Sequence, residues 1–346
     1  MADAPTFWYA PRGAVAYALS PAAAIYGRIA GRRMGARPKG SVDTPVVCVG
    51  NFIVGGAGKT PVCLEIARVA AAMGRRPGFL SRGYGGAAPM PLVVDPARHT
   101  SRDVGDEALL LAARAPTVAS PDRVAGARML AGEGVDLVVM DDGFQNPQLA
   151  KDFSIAVIGA RRGIGNGLAM PAGPLRAHLL TQLVHTDAVA VVGQSGGGEH
   201  ESTRDCVRRA ARRALPILRA HVVSSDPGLV EGARVLAYAG IGDPEKFFRT
   251  LEASGATIVD RQAFDDHQVY DDDAIDDLMA RAAAQELALV TTEKDAARLR
   301  DTGAKADGLV AASIVLAVCL AFEDERHLRR LIETAIARAR ERRLQA

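Results

Sequence analysis

The segment that most constrains the fold of this chain lies between residues 46 and 73. An apolar run at residues 46–49 is followed by a glycine-rich stretch at residues 50–60 and by a helical pattern at residues 61–73. A buried strand, a glycine-rich turn and a helix in this order are typical of a phosphate-binding loop (P-loop). Glycine lets backbone amides close around phosphate oxygens, and the helix N-terminus adds partial positive charge. The pattern therefore predicts a nucleotide site.

Within this loop, Lys59 is predicted to reach the β- and γ-phosphates and the Thr60 hydroxyl to ligate Mg²⁺. The loop departs from the common spacing G-x-x-x-x-G-K-[ST], because Ile53 stands where a glycine is required. It also lacks the extra lysine that variant P-loops carry just before the glycines, where this chain has Val54. The alternative is a glycine-rich turn followed by a chance lysine. The predicted nucleotide-binding residues are Gly55, Gly56, Ala57, Gly58, Lys59 and Thr60.

A second apolar run, residues 137–140, ends in Asp141 and Asp142. A P-loop protein needs a carboxylate at such a strand end to hold Mg²⁺, directly or through water. We therefore predict a magnesium site made of Thr60 and one or both aspartates. The alternative is a pair of aspartates that simply begin a turn.

Apolar, non-alternating runs alternate with helical patterns along the rest of the chain, which predicts a mostly parallel sheet covered on both faces. The predicted fold class is a P-loop NTPase-like α/β/α sandwich with a second, smaller α/β domain and an N-terminal interfacial helix. The predicted domains are residues 1–35, 36–215 and 216–346, with glycines at 193–198 and an arginine run at 208–213 near the boundary. The predicted strands are 46–49, 137–140, 155–158, 189–192, 235–239, 287–291 and 314–319; the predicted helices include 61–73, 244–254, 272–286 and 324–343.

Composition excludes some classes of function. The chain has 42 basic and 40 acidic residues among 346, and only 5% aromatic residues. This near balance of charge argues against a general nucleic-acid binder. None of the four cysteines forms a C-x-x-C pair or a zinc spacing, so we expect reduced thiols in a cytoplasmic protein.

The first 35 residues combine aromatic, apolar and basic character. Phe7, Trp8 and Tyr9 precede an apolar stretch at residues 14–30, which Pro21 interrupts and arginines follow. The order of charges does not suit a secretory signal, and the divided, alanine-rich run does not suit a membrane span. An interfacial helix fits, with arginines for anionic headgroups. An ordinary buried helix with a basic last turn is the alternative.

Several short motifs occur together with the glycine-rich loop. They are SRGYGG at 81–86, GDEA at 105–108, DGFQ at 142–145, NG at 166–167, PAGPLR at 171–176, FDDH at 264–267 and TTEKD at 291–295, besides GGAGKTP at 55–61. In this order, from about residue 7 to about residue 325, the chain resembles the tetraacyldisaccharide 4'-kinases of lipid A biosynthesis. The family's own loop looks like this one, which accounts for the departures at Ile53 and Val54.

The resemblance implies an activity and a location. The enzyme would use ATP and Mg²⁺ to phosphorylate the 4'-hydroxyl of a tetraacylated glucosamine disaccharide 1-phosphate. It would lie peripherally on the cytoplasmic face of the bacterial inner membrane, with no nucleic acid and no protein partner implied. The family fold would be two α/β/α domains joined by a β-ribbon, with the active site in the cleft.

The resemblance also implies residue roles. It implies that Asp106 is the catalytic base, whereas the residues alone equally allow Asp106 to be a helix N-cap. His267, from the second domain, would orient Asp106 after domain closure. Lys59 completes the predicted catalytic set. Candidates for the lipid headgroup are Arg82, Arg123, Asn166 and Arg176, with surface or loop roles as alternatives, and Gln145 would face the nucleotide. For Lys294 we expect a structural ion pair.

Two other functions remain open on the sequence. One is a membrane-associated P-loop ATPase switch that acts on a protein partner, although the extra lysine of that group is missing. The other is a P-loop kinase for a soluble sugar or nucleotide, against which the N-terminal segment counts.

Overall fold

The computed structural model describes residues 4–55, 58–89, 91–193, 197–265, 268, 270–300 and 302–345. Two sheets organise these residues. The strands are β1 Val46–Asn51, β2 Pro77–Ser81, β3 Leu92–Val93, β4 Thr117–Ala119, β5 Leu137–Asp141, β6 Phe153–Gly159, β7 Ala188–Gly193, β8 Ile217–Ser224, β9 Arg234–Ala239, β10 Thr257–Ala263, β11 Ala288–Thr292, β12 Ser313–Leu316 and β13 Val318–Phe322. The helices are α1 Ala14–Met34, α2 Lys59–Ala72, α3 Ser101–Val104, α4 Asp106–Ala112, α5 Arg123–Gly132, α6 Leu179–Val184, α7 Glu201–Ala211, α8 Pro244–Ala253, α9 Asp272–Gln285, α10 Glu293–Leu299, α11 Ala304–Ala312 and α12 Glu325–Leu344.

The large sheet has the strand order β13-β8-β7-β6-β1-β5-β2-β4-β3. Its strands run parallel from β8 to β4, and only the two edge strands pair antiparallel. Helices α1, α5, α6 and α7 contribute to the core on one face, and α2 and α12 to the core on the other. Central strands buried on both faces explain why their sequences are apolar without alternation. The predicted α/β fold class, with mostly parallel strands, is confirmed.

The small sheet has the order β10-β9-β11-β12 and is entirely parallel. Helix α8 contributes to the core on one of its faces, and α9 and α11 to the core on the other. Asp271 caps α9, since its carboxylate accepts from the Ala274 amide at 2.9 Å. The carboxyl ends of β9 and β11 lie at one edge, where parallel sheets collect ligand-binding residues.

The predicted domain boundary at residues 215/216 differs from the observed topology. The small sheet takes only residues 234–316, whereas β8, β13 and α12 belong to the large unit. The predicted strand at 314–319 is two strands: β12 ends in the small sheet, and β13 returns to pair antiparallel with β8. Because β12 and β13 are both apolar and nearly contiguous, the sequence gives no sign of the change of sheet. The β8–β13 ribbon joins the two units, as the resemblance implied.

Helix α1 lies on α6. A Cβ atom at Gly27 would stand 2.6 Å from the His178 ring, so the close approach requires a glycine. The opposite face of α1 is exposed, with Val15, Ile25 and Ile29 between 55% and 62% accessible. Trp8 does not lie on an exposed interfacial surface, as an interfacial segment would predict. It is buried and donates its Nε1–H to the Pro171 carbonyl at 3.0 Å.

Within the described residues, no helix is both long enough and apolar enough to cross a membrane.

An ion pair with a buried carboxylate joins the C-terminal helix α12 to the large sheet. Arg342 donates to both carboxylate oxygens of Asp152, at 2.9 and 3.1 Å, and to the Val42 carbonyl at 2.8 Å. Asp152 is only 5% exposed and also accepts from the Val46 amide at 2.8 Å, next to the start of β1.

Replacing Arg342 by alanine is expected to lower the free energy of unfolding by about 2 kcal/mol, since it leaves the Asp152 carboxylate buried with one partner fewer. Chemical denaturation measures this. The matched control is Arg326→Ala, because Arg326 pairs with Asp324 at an exposed site near the start of the same helix. Equal losses in the two variants would contradict a specific role for the buried pair.

Candidate active site

The glycine-rich loop follows β1 and leads into α2, as predicted. Its first half is held by the segment at residues 174–176: Val54 donates to the Pro174 carbonyl at 2.9 Å, and the Arg176 amide to the Phe52 carbonyl at 2.8 Å. The Asn51 side chain donates to the Gly55 carbonyl at 2.8 Å. These bonds stabilise a loop with Ile53 and Val54 in place of the usual residues. Gly58 has φ +85°, a conformation that glycine adopts without strain, and it is the N-cap of α2.

Lys59 and Asp142 meet at the mouth of this loop. The Lys59 Nζ atom lies 3.7 Å from Asp142 Oδ1, and the Arg176 guanidinium lies 3.4 Å from each Asp142 oxygen. Asp142 adopts φ +47°, a left-handed conformation that short polar side chains tolerate, and its side chain is 33% exposed. This turn directs the carboxylate away from the sheet and toward the two cations.

The neighbouring carboxylates differ in pKa. Burial raises the pKa of Asp141 to about 7, with Glu107 adding to the effect and Lys59 opposing it. Burial also acts to raise the pKa of Asp142, but Lys59 and Arg176 outweigh it, so the Asp142 pKa lies below its ordinary value. Asp141 is 2% exposed and accepts from the Cys63 thiol. Asp142 is therefore the ionised carboxylate, and its side chain is the more exposed of the two.

The donor set near the loop fits Mg²⁺ shared with phosphate. No group of three or more His, Cys, Asp or Glu side chains could hold a metal among the described residues. One Asp142 oxygen is buried without a hydrogen-bond donor, and Mg²⁺ prefers one or two carboxylates plus phosphate oxygens and water. Asp142 and Thr60 are the side chains that would hold the ion.

Asp106 lies at the start of α4, facing α10 of the small unit. The N-cap of α4 is Gly105, whose Cβ would stand 2.4 Å from the Tyr84 carbonyl oxygen. Asp106 Oδ1 accepts from the Glu107 amide at 3.0 Å, while Oδ2 lies 3.7 Å from Lys294 Nζ and 3.6 Å from Arg298 Nη2. One oxygen thus serves the helix start and the other faces two cations of the second unit.

A cavity of about 370 Å³ opens beside Asp106. Residues from both units line it, which makes it the cleft between them: Tyr84, Gly85, Ser101, Arg102, Gly105, Asp106, Tyr270, Arg298, Leu299 and Thr302.

Arg298 is positioned by Asp295, a fully buried carboxylate that the sequence did not single out. Asp295 accepts from the Gly240 amide at 3.0 Å, the Tyr270 hydroxyl at 3.1 Å and the Thr292 hydroxyl at 2.6 Å. Arg298 lies 3.3 Å from Asp295 Oδ1. Asp295 and Lys294 both lie in the TTEKD motif, which was the available sequence signal, whereas Arg298 lies outside every motif. The expected ion pair of Lys294 exists, and its partners are Asp106 at 3.7 Å and Glu107 at 3.9 Å.

Other predicted site residues occupy different surroundings. The Gln145 side-chain amide donates to the Asn51 carbonyl at 2.8 Å and to the Gln182 side-chain oxygen at 3.0 Å. It therefore stabilises the end of β1. The Asn166 side chain donates to the Ala172 carbonyl at 2.9 Å and accepts from the Leu168 amide at 3.1 Å, which holds its own loop. Arg176 contacts Asp142 at the phosphate end of the cleft.

The remaining arginines of the predicted headgroup set differ from each other. Arg123 is 1% exposed and donates to the Ser120 carbonyl at 3.2 Å. Burial lowers its pKa, and Asp141 and Asp142 are close enough to oppose that effect. Arg82 is exposed. His267, Gly56 and Ala57 lie outside the described residues, so their predicted roles stay predictions.

Comparisons with known proteins agree on one family. Residues 15–337 match the family model described as tetraacyldisaccharide-1-P 4'-kinase (LpxK). The tetraacyldisaccharide 4'-kinase of Rhizobium meliloti is 47% identical over 345 residues, covering 99% of this chain and 98% of that protein. The protein of the same name from Agrobacterium fabrum is 45% identical over 342 residues, covering 99% and 97%.

A solved structure has the same fold. LpxK from Aquifex aeolicus, described as an "apo" form in complex with ATP, superposes with a TM-score of 0.69 at 23% identity, covering 93% of this chain and 99% of that one. The sequence matches confirm the predicted family, and the chain belongs to the tetraacyldisaccharide 4'-kinases.

Proposed function

We propose that this chain transfers the γ-phosphate of ATP to the 4'-hydroxyl of a tetraacylated glucosamine disaccharide 1-phosphate. One observation carries the proposal. The P-loop and the Asp106 carboxylate lie on the cleft side of the large sheet, and Lys59 and Asp142 lie at the mouth of that loop. Glu107, the neighbour of Asp106, is close enough to raise the pKa of Asp141 at the end of β5. The two halves of a kinase site are thus adjacent.

The reaction would proceed as an in-line phosphoryl transfer. The sugar 4'-oxygen forms a bond to the γ-phosphorus while the bond from that phosphorus to the bridging oxygen breaks, and ADP leaves with the electron pair. Asp106 accepts the hydroxyl proton as the attack proceeds, because the hydroxyl is far too weak an acid to ionise alone. Lys59 and Arg176 stabilise charge on the phosphates. Bound Mg²⁺ would neutralise the phosphate oxygens.

Arg298 and Lys294 would act on Asp106 from the second unit. Both cations lie within 3.7 Å of the Asp106 carboxylate, close enough to orient it. Another ion pair joins the units, since Arg114 of the first unit lies 3.2 Å from Glu293 of the second. The base is therefore held by the unit that closes the cleft.

Transfer of labelled phosphate tests the proposal. The purified protein is incubated with γ-labelled ATP, Mg²⁺ and the disaccharide lipid, and a matched reaction contains the same lipid already phosphorylated at the 4'-position. Label in the first lipid and not in the second is expected. Label released only as inorganic phosphate would support an ATPase switch, and transfer to a soluble sugar but not to the lipid would support a soluble-substrate kinase. Either result would overturn the proposal.

We also propose that the chain binds the anionic cytoplasmic face of the bacterial inner membrane through α1 and α6. The exposed apolar residues of α1 are accompanied by Leu180 and Val184 of α6, which are 57% and 60% exposed. The last turn of α1 carries Arg32 and Arg33. An apolar face flanked by cations suits the boundary between acyl chains and anionic headgroups, where a lipid acceptor resides.

Replacing Ile25 and Ile29 together by glutamine is expected to weaken binding to phosphatidylglycerol-containing vesicles by about 10-fold or more, because two exposed apolar side chains no longer enter the lipid. Vesicle cosedimentation measures this, and binding of the unchanged protein should fall as salt rises. Val259→Gln is the control, since Val259 is 41% exposed in the second unit. Unchanged vesicle binding in the double variant contradicts the assignment of this face.

A further inference from the structure

Helix α8 of the second unit begins beside the P-loop. The loop at residues 240–243 follows β9, and α8 starts at Pro244 with Lys246 in its first turn, where the Lys246 amide donates to the Asp243 carbonyl at 3.1 Å. Phe247 and Phe248 are buried in the core of the second unit and fix the helix there. From the first unit, the Arg162 side chain reaches the Gly242 carbonyl at 3.4 Å. The start of α8 is therefore held against the large sheet.

The Lys246 ammonium points at the turn that enters α2. A Cβ atom built on Gly58 would stand 3.9 Å from Lys246 Nζ. Gly58 immediately precedes Lys59, the position whose side chain reaches the β- and γ-phosphates in a P-loop. A cation from the other unit thus lies at the phosphate end of the loop.

The loop itself lacks one of the cations that related loops carry, because Val54 stands at the position of the extra lysine. We propose that Lys246 supplies a positive charge to the β- and γ-phosphates of ATP from the second unit and is a phosphate-contacting residue of the kinase site. This inference rests on the proposed phosphate-binding role of residues 55–60.

The surroundings of Lys246 favour an anion beside it. Burial lowers the pKa of Lys246, with Asp243 raising it and Arg249 lowering it further. A desolvated ammonium is stabilised in its charged form by a neighbouring anion, and a triphosphate carries more charge than a carboxylate. Because α8 belongs to the small unit, such a contact would also couple nucleotide binding to the position of that unit.

The test combines turnover with thermal unfolding. Lys246→Met is expected to lower kcat/KM for ATP by about 10- to 10²-fold, the loss of one charged contact. It should reduce the rise in unfolding temperature that saturating ATP produces, because ligand stabilisation follows affinity. The unfolding temperature without ATP should change little. Lys246→Arg keeps the charge and should restore most of the activity.

Lys305→Met is the matched control, since Lys305 lies in the same unit and pairs with Asp276 at an exposed site. Unchanged kcat/KM and an unchanged ATP-induced shift in Lys246→Met would overturn the inference. If Lys246→Met does not fold, Lys246→Gln and Lys246→Arg take its place, and equal activity in these two would also overturn it. Failure of the unchanged protein to bind ATP would overturn the P-loop proposal itself, and with it this inference.

Discussion

Replacing Asp106 by asparagine is expected to lower kcat by about 10²- to 10⁴-fold, the usual contribution of a general base. The amide keeps the size and the polar character of the side chain but cannot accept the hydroxyl proton. The KM for ATP should change little, because the nucleotide is held by the P-loop. Steady-state kinetics with the lipid acceptor and varied ATP separate the two quantities.

Asp136→Asn is the control for this substitution. Asp136 belongs to the same unit but immediately precedes the amino end of β5, where it accepts from the Arg76 amide at 2.8 Å. Its replacement should leave kcat near the starting value. If Asp106→Asn retained full kcat, Asp106 would have only its helix-starting role, and another group would have to accept the proton.

Replacing Lys59 by methionine is expected to lower kcat/KM for ATP by about 10³-fold, because the ammonium stabilises charge on the transferred phosphate in a site shielded from water. The structure supports this size of effect, since the Lys59 side chain is only 9% exposed and lies beside Asp142. Removing the cation also leaves that carboxylate with Arg176 alone. Turnover and nucleotide binding by calorimetry measure the change.

The control for Lys59→Met is the same substitution at a lysine with a structural contact. Lys151 is partly buried, and its ammonium donates to the Phe144 carbonyl at 2.7 Å. Lys151→Met should reduce stability more than nucleotide affinity. ATP binding that survived in Lys59→Met would falsify the assignment of residues 55–60 as the phosphate site.

Local patterns were sufficient where function depends on consecutive residues. The strand, the glycine-rich turn and the helix at residues 46–73 are contiguous, so the layout of the P-loop could be predicted, as could the strand that ends at Asp141. The parallel sheet followed from apolar runs that do not alternate. The domain boundary was wrong because β13 and α12 return to the first sheet after the second one is complete, and apolar runs do not reveal which sheet they join.

Long-range contacts could not be predicted in the same way. Arg298 is separated from Asp106 by nearly two hundred positions, and no local pattern marks an arginine that will face a carboxylate on another unit. The contacts that Gln145 and Asn166 make within the protein could not be predicted for a related reason. Each amide found backbone partners in neighbouring segments, and a polar side chain that is satisfied within the protein is less available to a ligand.

By itself, the sequence determined that this chain has a P-loop, two carboxylates after a central strand, and an N-terminal helix with apolar and basic residues, because each of these depends on neighbours in the chain. Only the tertiary structure decided which of the two carboxylates is the more exposed and which cations face Asp106. Only the tertiary structure placed Lys246 beside Gly58. The physical reason is that burial and the distances between charged groups depend on residues that are far apart in the chain. How the two sheets pack together sets where those residues lie.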